Sequence, residues 1–191
     1  MQSQQKSFIN YKENLTLGTY YHLDRTGSLE IGQTISLEPT EIFNCSIDHL
    51  IDHANELFEK GISRHGLQYI NQRVTDDSLS EWFFEYVRRS NFTDKPSRFQ
   101  SFFALSSLED IQKFKKRFNI SSGNVYLIES ENYFKADMNL VGLQTSPLSL
   151  SLLANTYWSG NTREELYAKN DREPLWEYLL TGSIKVIGKV E

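Results

Sequence analysis

His22, Arg98 and Glu177 are the residues of this sequence best suited to act on a ligand. His22 ends an aromatic run, Tyr20-Tyr21-His22, and leads into a polar turn, Leu23-Asp24-Arg25-Thr26-Gly27-Ser28. Arg98 stands in Ser97-Arg98-Phe99-Gln100-Ser101-Phe102-Phe103-Ala104-Leu105, midway along the chain. Glu177 lies near the far end, in Leu175-Trp176-Glu177-Tyr178-Leu179-Leu180-Thr181-Gly182. A carboxylate can stabilise a developing positive charge. A guanidinium offers a rigid fork of donors, and a histidine can orient a ligand or carry a proton. Taken singly, each has a plainer reading: a core histidine, an arginine that pairs with a carboxyl group, a solvent-facing strand glutamate.

Other groups carry weaker signals. Asp48-His49 and Asp52-His53 set two histidines one helical turn apart, a spacing compatible with a metal. They lie off the apolar face without an obvious third ligand, so a solvated helix face is expected and no metal is. Ser63-Arg64-His65-Gly66 reads as a loop by composition. Arg88-Arg89 and Lys115-Lys116-Arg117 are basic runs of the kind that line solvated faces or, together, a nucleic-acid patch. Gly27 and Gly32 match neither a dinucleotide fingerprint nor a P-loop. Cys45 is the one cysteine, which rules out an internal disulfide and a cysteine-based zinc site.

The elements that must position these residues follow from periodicity and caps. The 191 residues, 39% hydrophobic and 24% charged, suit one globular domain, and the net charge of -5 argues against general nucleic-acid binding. Residues 1–18 are a polar, flexible lead-in to a single domain over 19–191. No apolar run approaches membrane-spanning length, and the expected location is the cytoplasm, or outside the cell as an effector without a cleavable signal peptide. Strands are expected over 19–23, 33–37, 97–105, 125–128 and 133–140, with a final hairpin, 175–180 and 183–190, turning at Thr181-Gly182. Helices are expected from Ser46 to a stop at Lys60-Gly61, from a capping box at Ser78-x-x-Glu81 with Leu79, Trp82, Phe83, Tyr86 and Val87 on its apolar face, and from one at Ser106-x-x-Glu109 with Leu108, Ile111, Phe114 and Phe118 inward. Ser146-Pro147 opens another, ending at Ser159-Gly160, and Thr162-x-x-Glu165 caps a short one. Helices early and strands late give an α+β chain rather than alternating βαβ units.

In their order along the chain these motifs resemble the ADP-ribosyltransferase-like folds. The aromatic-histidine opening is similar to their first motif, the Ser97-Arg98 to Ala104 stretch to their second, and Glu177-x-Leu179-Leu180-x-Gly182-x-Ile184-Lys185-Val186 to their catalytic-glutamate segment. More closely, the order of pieces, with Ala154, Tyr157 and Trp158, resembles a bacterial domain-of-unknown-function family with that fold, over about residues 19–190. The resemblance implies a split, strongly bent antiparallel sheet with helices inserted between the early strands.

It also implies a function: a mono-ADP-ribosyltransferase, using NAD as co-substrate and a macromolecule as acceptor, a protein ahead of a nucleic acid. Such proteins are commonly toxins, effectors or phage-type modifiers. Cleaving the nicotinamide–ribose bond passes through a sugar cation like that of glycoside hydrolysis, and nicotinamide leaves as a neutral ring. By the same resemblance, Glu177 is the catalytic carboxylate and His22 holds a ribose hydroxyl. The backbone at Leu23 meets the carboxamide, Arg98 pairs with the pyrophosphate, Ser101 supports Glu177, and Tyr157 or Trp158 borders the nicotinamide. Leu175 stands where arginine-modifying members carry Gln or Glu, which points away from arginine as acceptor. The rival functions are an NAD glycohydrolase and a non-catalytic binding module.

Overall fold

The structure, a computed structural model, describes residues 17–39, 48–70, 73–142, 145–167 and 173–190. The expected lead-in lies outside the described residues up to position 16, as do Cys45 and the first two residues of the helix expected from Ser46. The strands are β1 (Gly18–Asp24), β2 (Thr34–Ile35), β3 (Phe102–Ala104), β4 (Asn124–Asp137) and β5 (Trp176–Val190). The helices are α1 (Asp48–Leu57), α2 (Arg64–Ile70), α3 (Asp76–Asn91), α4 (Leu108–Arg117), α5 (Pro147–Trp158) and α6 (Glu164–Tyr167). This is a mixed α+β fold on a bent antiparallel sheet.

The sheet runs β1-β4-β5-β2, with β3 beside the first half of β5. The expected terminal hairpin is instead one long strand. β5 passes straight through Thr181-Gly182 and pairs with β4 along almost its whole length, from Asp137↔Trp176 to Val125↔Val190. Register slips between Ser130↔Ile184 and Asn132↔Thr181, so two residues of β5 face one of β4. Such a bulge bends and twists a strand pair. Gly182 suits it, with φ of 78° and only 2.9 Å between an added Cβ and the Asn132 amide. The strand expected over 133–140 is the second half of β4, ending in a 3-10 turn at Met138–Leu140. Beyond β3, Leu105 exchanges backbone hydrogen bonds with Tyr21 of β1 (2.7 and 2.8 Å), which brings the two ends of the bend together.

The strand expected over 97–105 shrinks to β3, because Arg98–Gln100 coils into a 3-10 turn capped by Ser97. The loop expected at 63–66 is the start of α2. Gly66 is what lets that helix settle there: its Cα lies so close to the 3-10 turn that a Cβ would stand 2.4 Å from the Phe99 carbonyl. Helix α3 begins earlier than expected, at a Thr75/Ser78 capping box rather than at Ser78/Glu81. Its buried face carries Glu81, Phe84 and Glu85, while Leu79 and Tyr86, expected inside, are exposed. Helix α4 is capped by Ser107 rather than Ser106, and Leu108 and Phe118, also expected inside, are exposed. Helix α5 starts at its expected Ser146-Pro147 cap. It packs Ala154, Tyr157 and Trp158 against Phe84 of α3 and Leu179 of β5.

Candidate functional site

Arg98 is the centre of a buried polar cluster. Its Nε and Nη2 donate to the two oxygens of Glu81 at 2.7 and 2.8 Å, a fork-to-fork pair. Nη1 donates to Glu177 Oε1 and contacts the Tyr157 hydroxyl. Tyr157 in turn donates to the same Glu177 oxygen at 2.8 Å. The guanidinium is flanked by the rings of Phe103 (4.8 Å) and Tyr157 (5.3 Å). All four polar residues are almost fully buried. Burial opposes the Arg98 charge, but Glu177 and Glu81 outweigh it and raise its pKa further. Burial likewise opposes the Glu81 charge, yet Arg98 overrides it and holds that carboxyl far below the usual range. The Tyr157 hydroxyl is pushed well up, chiefly by burial.

Glu177 comes into this cluster from β5, where it alternates with Tyr178 and lies on the same face as Leu179. Both of its hydrogen bonds fall on Oε1, and Oε2 takes none among the described residues. The residue lines a cavity of about 1450 Å³, as do His22, Leu23, Arg98 and Ser101.

His22 reaches the same cavity from β1. Its Nδ1 lies 2.7 Å from the Phe103 carbonyl, so Nδ1 carries the hydrogen and Nε2 is the free acceptor. Burial lowers its pKa, against the opposing pull of that carbonyl. The imidazole leans on the Phe102 ring at 4.3 Å. Consecutive strand residues point to opposite faces, so His22, against Phe102, and Arg98 with Glu177, against Phe103, flank β3 from its two sides.

Asp24, a residue not singled out in the sequence, fixes the turn that follows. Its carboxylate accepts from the Thr26 and Leu29 amides (2.9 and 3.0 Å), the Gly27 amide and the Thr26 hydroxyl. Burial alone would raise its pKa; these hydrogen bonds more than reverse that.

Several expected roles change. Arg98, expected to pair with a pyrophosphate, spends its donors on Glu81, Glu177 and Tyr157. Ser101 is buried and its hydroxyl donates to the Ser97 carbonyl at 2.7 Å, so Tyr157 and Arg98, not Ser101, support Glu177. Trp158 is core: it is fully buried, stacks on Phe134 and donates to the Phe84 carbonyl at 2.7 Å. Tyr157 borders the carboxylate rather than an open surface. Leu23, whose backbone carries the expected role, pairs with Val125 of β4 and packs its side chain with Leu105 and Ile111. Arg88 and Arg89 both bind Glu85. His53 is exposed beside Glu56, at 3.7 Å.

Two residues of weight depart from expectation. Glu81 looked like a helix cap and is the second carboxylate of the cluster. His65 looked like a loop residue and is a wall of the cavity, its ring 4.3 Å from Phe103 and 5.0 Å from Tyr69. His65 Nε2 stands 3.5 Å from Glu81 Oε1, too far for a closed hydrogen bond.

The arrangement defines an α+β protein with one large cavity fed by a buried Glu–Arg–Glu cluster and a neutral-leaning histidine. Residues 20–191 match the family model described as protein of unknown function, DUF2441, and the chain belongs to that family. No curated protein matches it.

Proposed function

We propose that the protein is an NAD-dependent mono-ADP-ribosyltransferase of ADP-ribosyltransferase-like fold, with a protein as acceptor. The observation that carries the reading is the state of Glu177. One oxygen is pinned by Arg98 and Tyr157, and the other takes no hydrogen bond among the described residues and is left for a ligand in the cavity that Glu177 lines. Two carboxylates share a single guanidinium there, a surplus of negative charge suited to the cationic nicotinamide ring and to the sugar cation that follows it. His22, with Nε2 as acceptor, takes a hydrogen bond from a ribose hydroxyl. A protein acceptor fits the net charge of -5 and the pairing of Arg88 and Arg89 with Glu85. The effector or toxin setting rests on the family resemblance.

Incubation with labelled NAD and a bacterial lysate tests this. Label on protein is expected, and Glu177→Gln should lower it by a factor on the order of 10²–10³. Full activity in that variant would remove Glu177 from the chemistry. Free ADP-ribose alone would mean hydrolysis. A second reading, the non-catalytic binding module, is favoured by the deep burial of Glu177, 3% exposed; NAD recovered intact would select it.

A further inference from the structure

His65 is the one titratable side chain with a buried ring nitrogen lacking a hydrogen-bond partner among the described residues. We infer that His65 is the base that takes the acceptor's proton, with the Glu81 carboxylate beside its ring; this rests on the transfer reading above. The carboxylate 3.5 Å from Nε2 favours the hydrogen on that nitrogen and leaves the lone pair on Nδ1. Nδ1 makes no hydrogen bond among the described residues, and the side chain keeps 26% of its surface accessible. The groups that face the ring are Glu81 from α3, Tyr69 from α2 and Phe103 from β3. Arg98 grips Glu81 from behind and keeps it ionised, while the field of Arg25 is felt at Tyr69 and at His22. Gly66 and the Ser63 hydrogen bonds to the Phe99 carbonyl (2.8 and 3.0 Å) hold the start of α2 in place.

The step balances without a further reactant. The acceptor's O–H or N–H bond breaks and its proton passes to Nδ1. The acceptor atom bonds to C1 of the ribose, and the C1–nitrogen bond of NAD breaks with its electron pair going to nicotinamide, which leaves neutral. Through Arg98, the base and the carboxylate that steadies the sugar cation are held by one guanidinium.

Two measurements test it. Long-range nitrogen–proton NMR on the wild-type protein at pH 8 reads the His65 tautomer: hydrogen on Nε2 is expected, and hydrogen on Nδ1 would overturn the assignment without any variant. In the labelled-NAD assay, H65Q should bind NAD within about threefold of wild type by calorimetry. Its transfer to lysate protein should fall by a factor on the order of 10². Should H65Q fail to fold, H65N takes its place, and the tautomer still decides. Wild-type transfer rates in the variant would sink the base alone. NAD left intact by the wild-type protein would sink the transfer reading and the base with it.

Discussion

Glu81 and Glu85 stand one turn apart on the buried face of α3, and they are used in opposite ways. Glu85 is surrounded: Oε1 accepts from Arg88 and Arg89 at 2.8 Å each, and Oε2 from Arg88 and the Ser97 hydroxyl at 2.9 Å each. The same arginines reach the Leu57 and Lys95 carbonyls, so one carboxylate ties the end of α1 to the segment before β3. Glu81 has half an arginine, because Arg98 is shared with Glu177. One carboxylate with two arginines closes a seam. Two carboxylates with one arginine leave negative charge beside a cavity. The lesson is that stoichiometry around the guanidinium, rather than burial or residue type, separates the structural pair from the candidate site.

The largest effect that can break this comparison is Arg98→Met. It strands two buried carboxylates and should cost about 3–5 kcal/mol in a urea unfolding experiment. A loss under about 1 kcal/mol would mean the cluster is not held as described. Glu85→Gln should cost about 2 kcal/mol and leave NAD binding by calorimetry unchanged. A change in NAD affinity there would erase the distinction between the two glutamates.

The smallest effects lie in the pH dependence of stability. His22 has its folded pKa lowered from 6.5, so its contribution is complete above that value and declines as pH falls through it; H22Q should remove that decline. Glu81 has its folded pKa depressed far below 4.5, so its contribution is complete above 4.5 and is lost progressively at lower pH. Unfolding curves of E81Q between pH 5 and 2.5 should therefore be flatter than those of the wild type. Parallel curves would contradict the Glu81–Arg98 pairing.

Local signals in the sequence reach some of this structure. β1 follows from its aromatic run, α5 from Ser146-Pro147, and α4 from its helical spacing and a cap displaced by one residue. The misread places share a cause: each depends on a partner far along the chain. Glu81 fits a capping box three residues from Ser78, and only Arg98, seventeen residues on, makes it an ion-pair partner. Apolar spacing put Leu79 and Tyr86 inside α3, but the two glutamates compete for that face and, being paired, win it. Thr181-Gly182 has turn chemistry, yet pairing with β4 on both sides makes it a bulge in a continuous strand. His65 has no periodic signal in a seven-residue helix, so its place in the cavity is visible only once α2 meets the 3-10 turn. His22 and Glu177 were singled out, and both line the cavity; that β3 stands between them was not legible from either segment.

A crystal structure with bound NAD tests the central claim most directly. The nicotinamide ribose is predicted to lie in the cavity with its C1 and hydroxyls against Glu177 Oε2, and with His22 Nε2 accepting from the ligand. A dinucleotide bound elsewhere, or a cavity in which Glu177 makes no contact with it, would contradict the account.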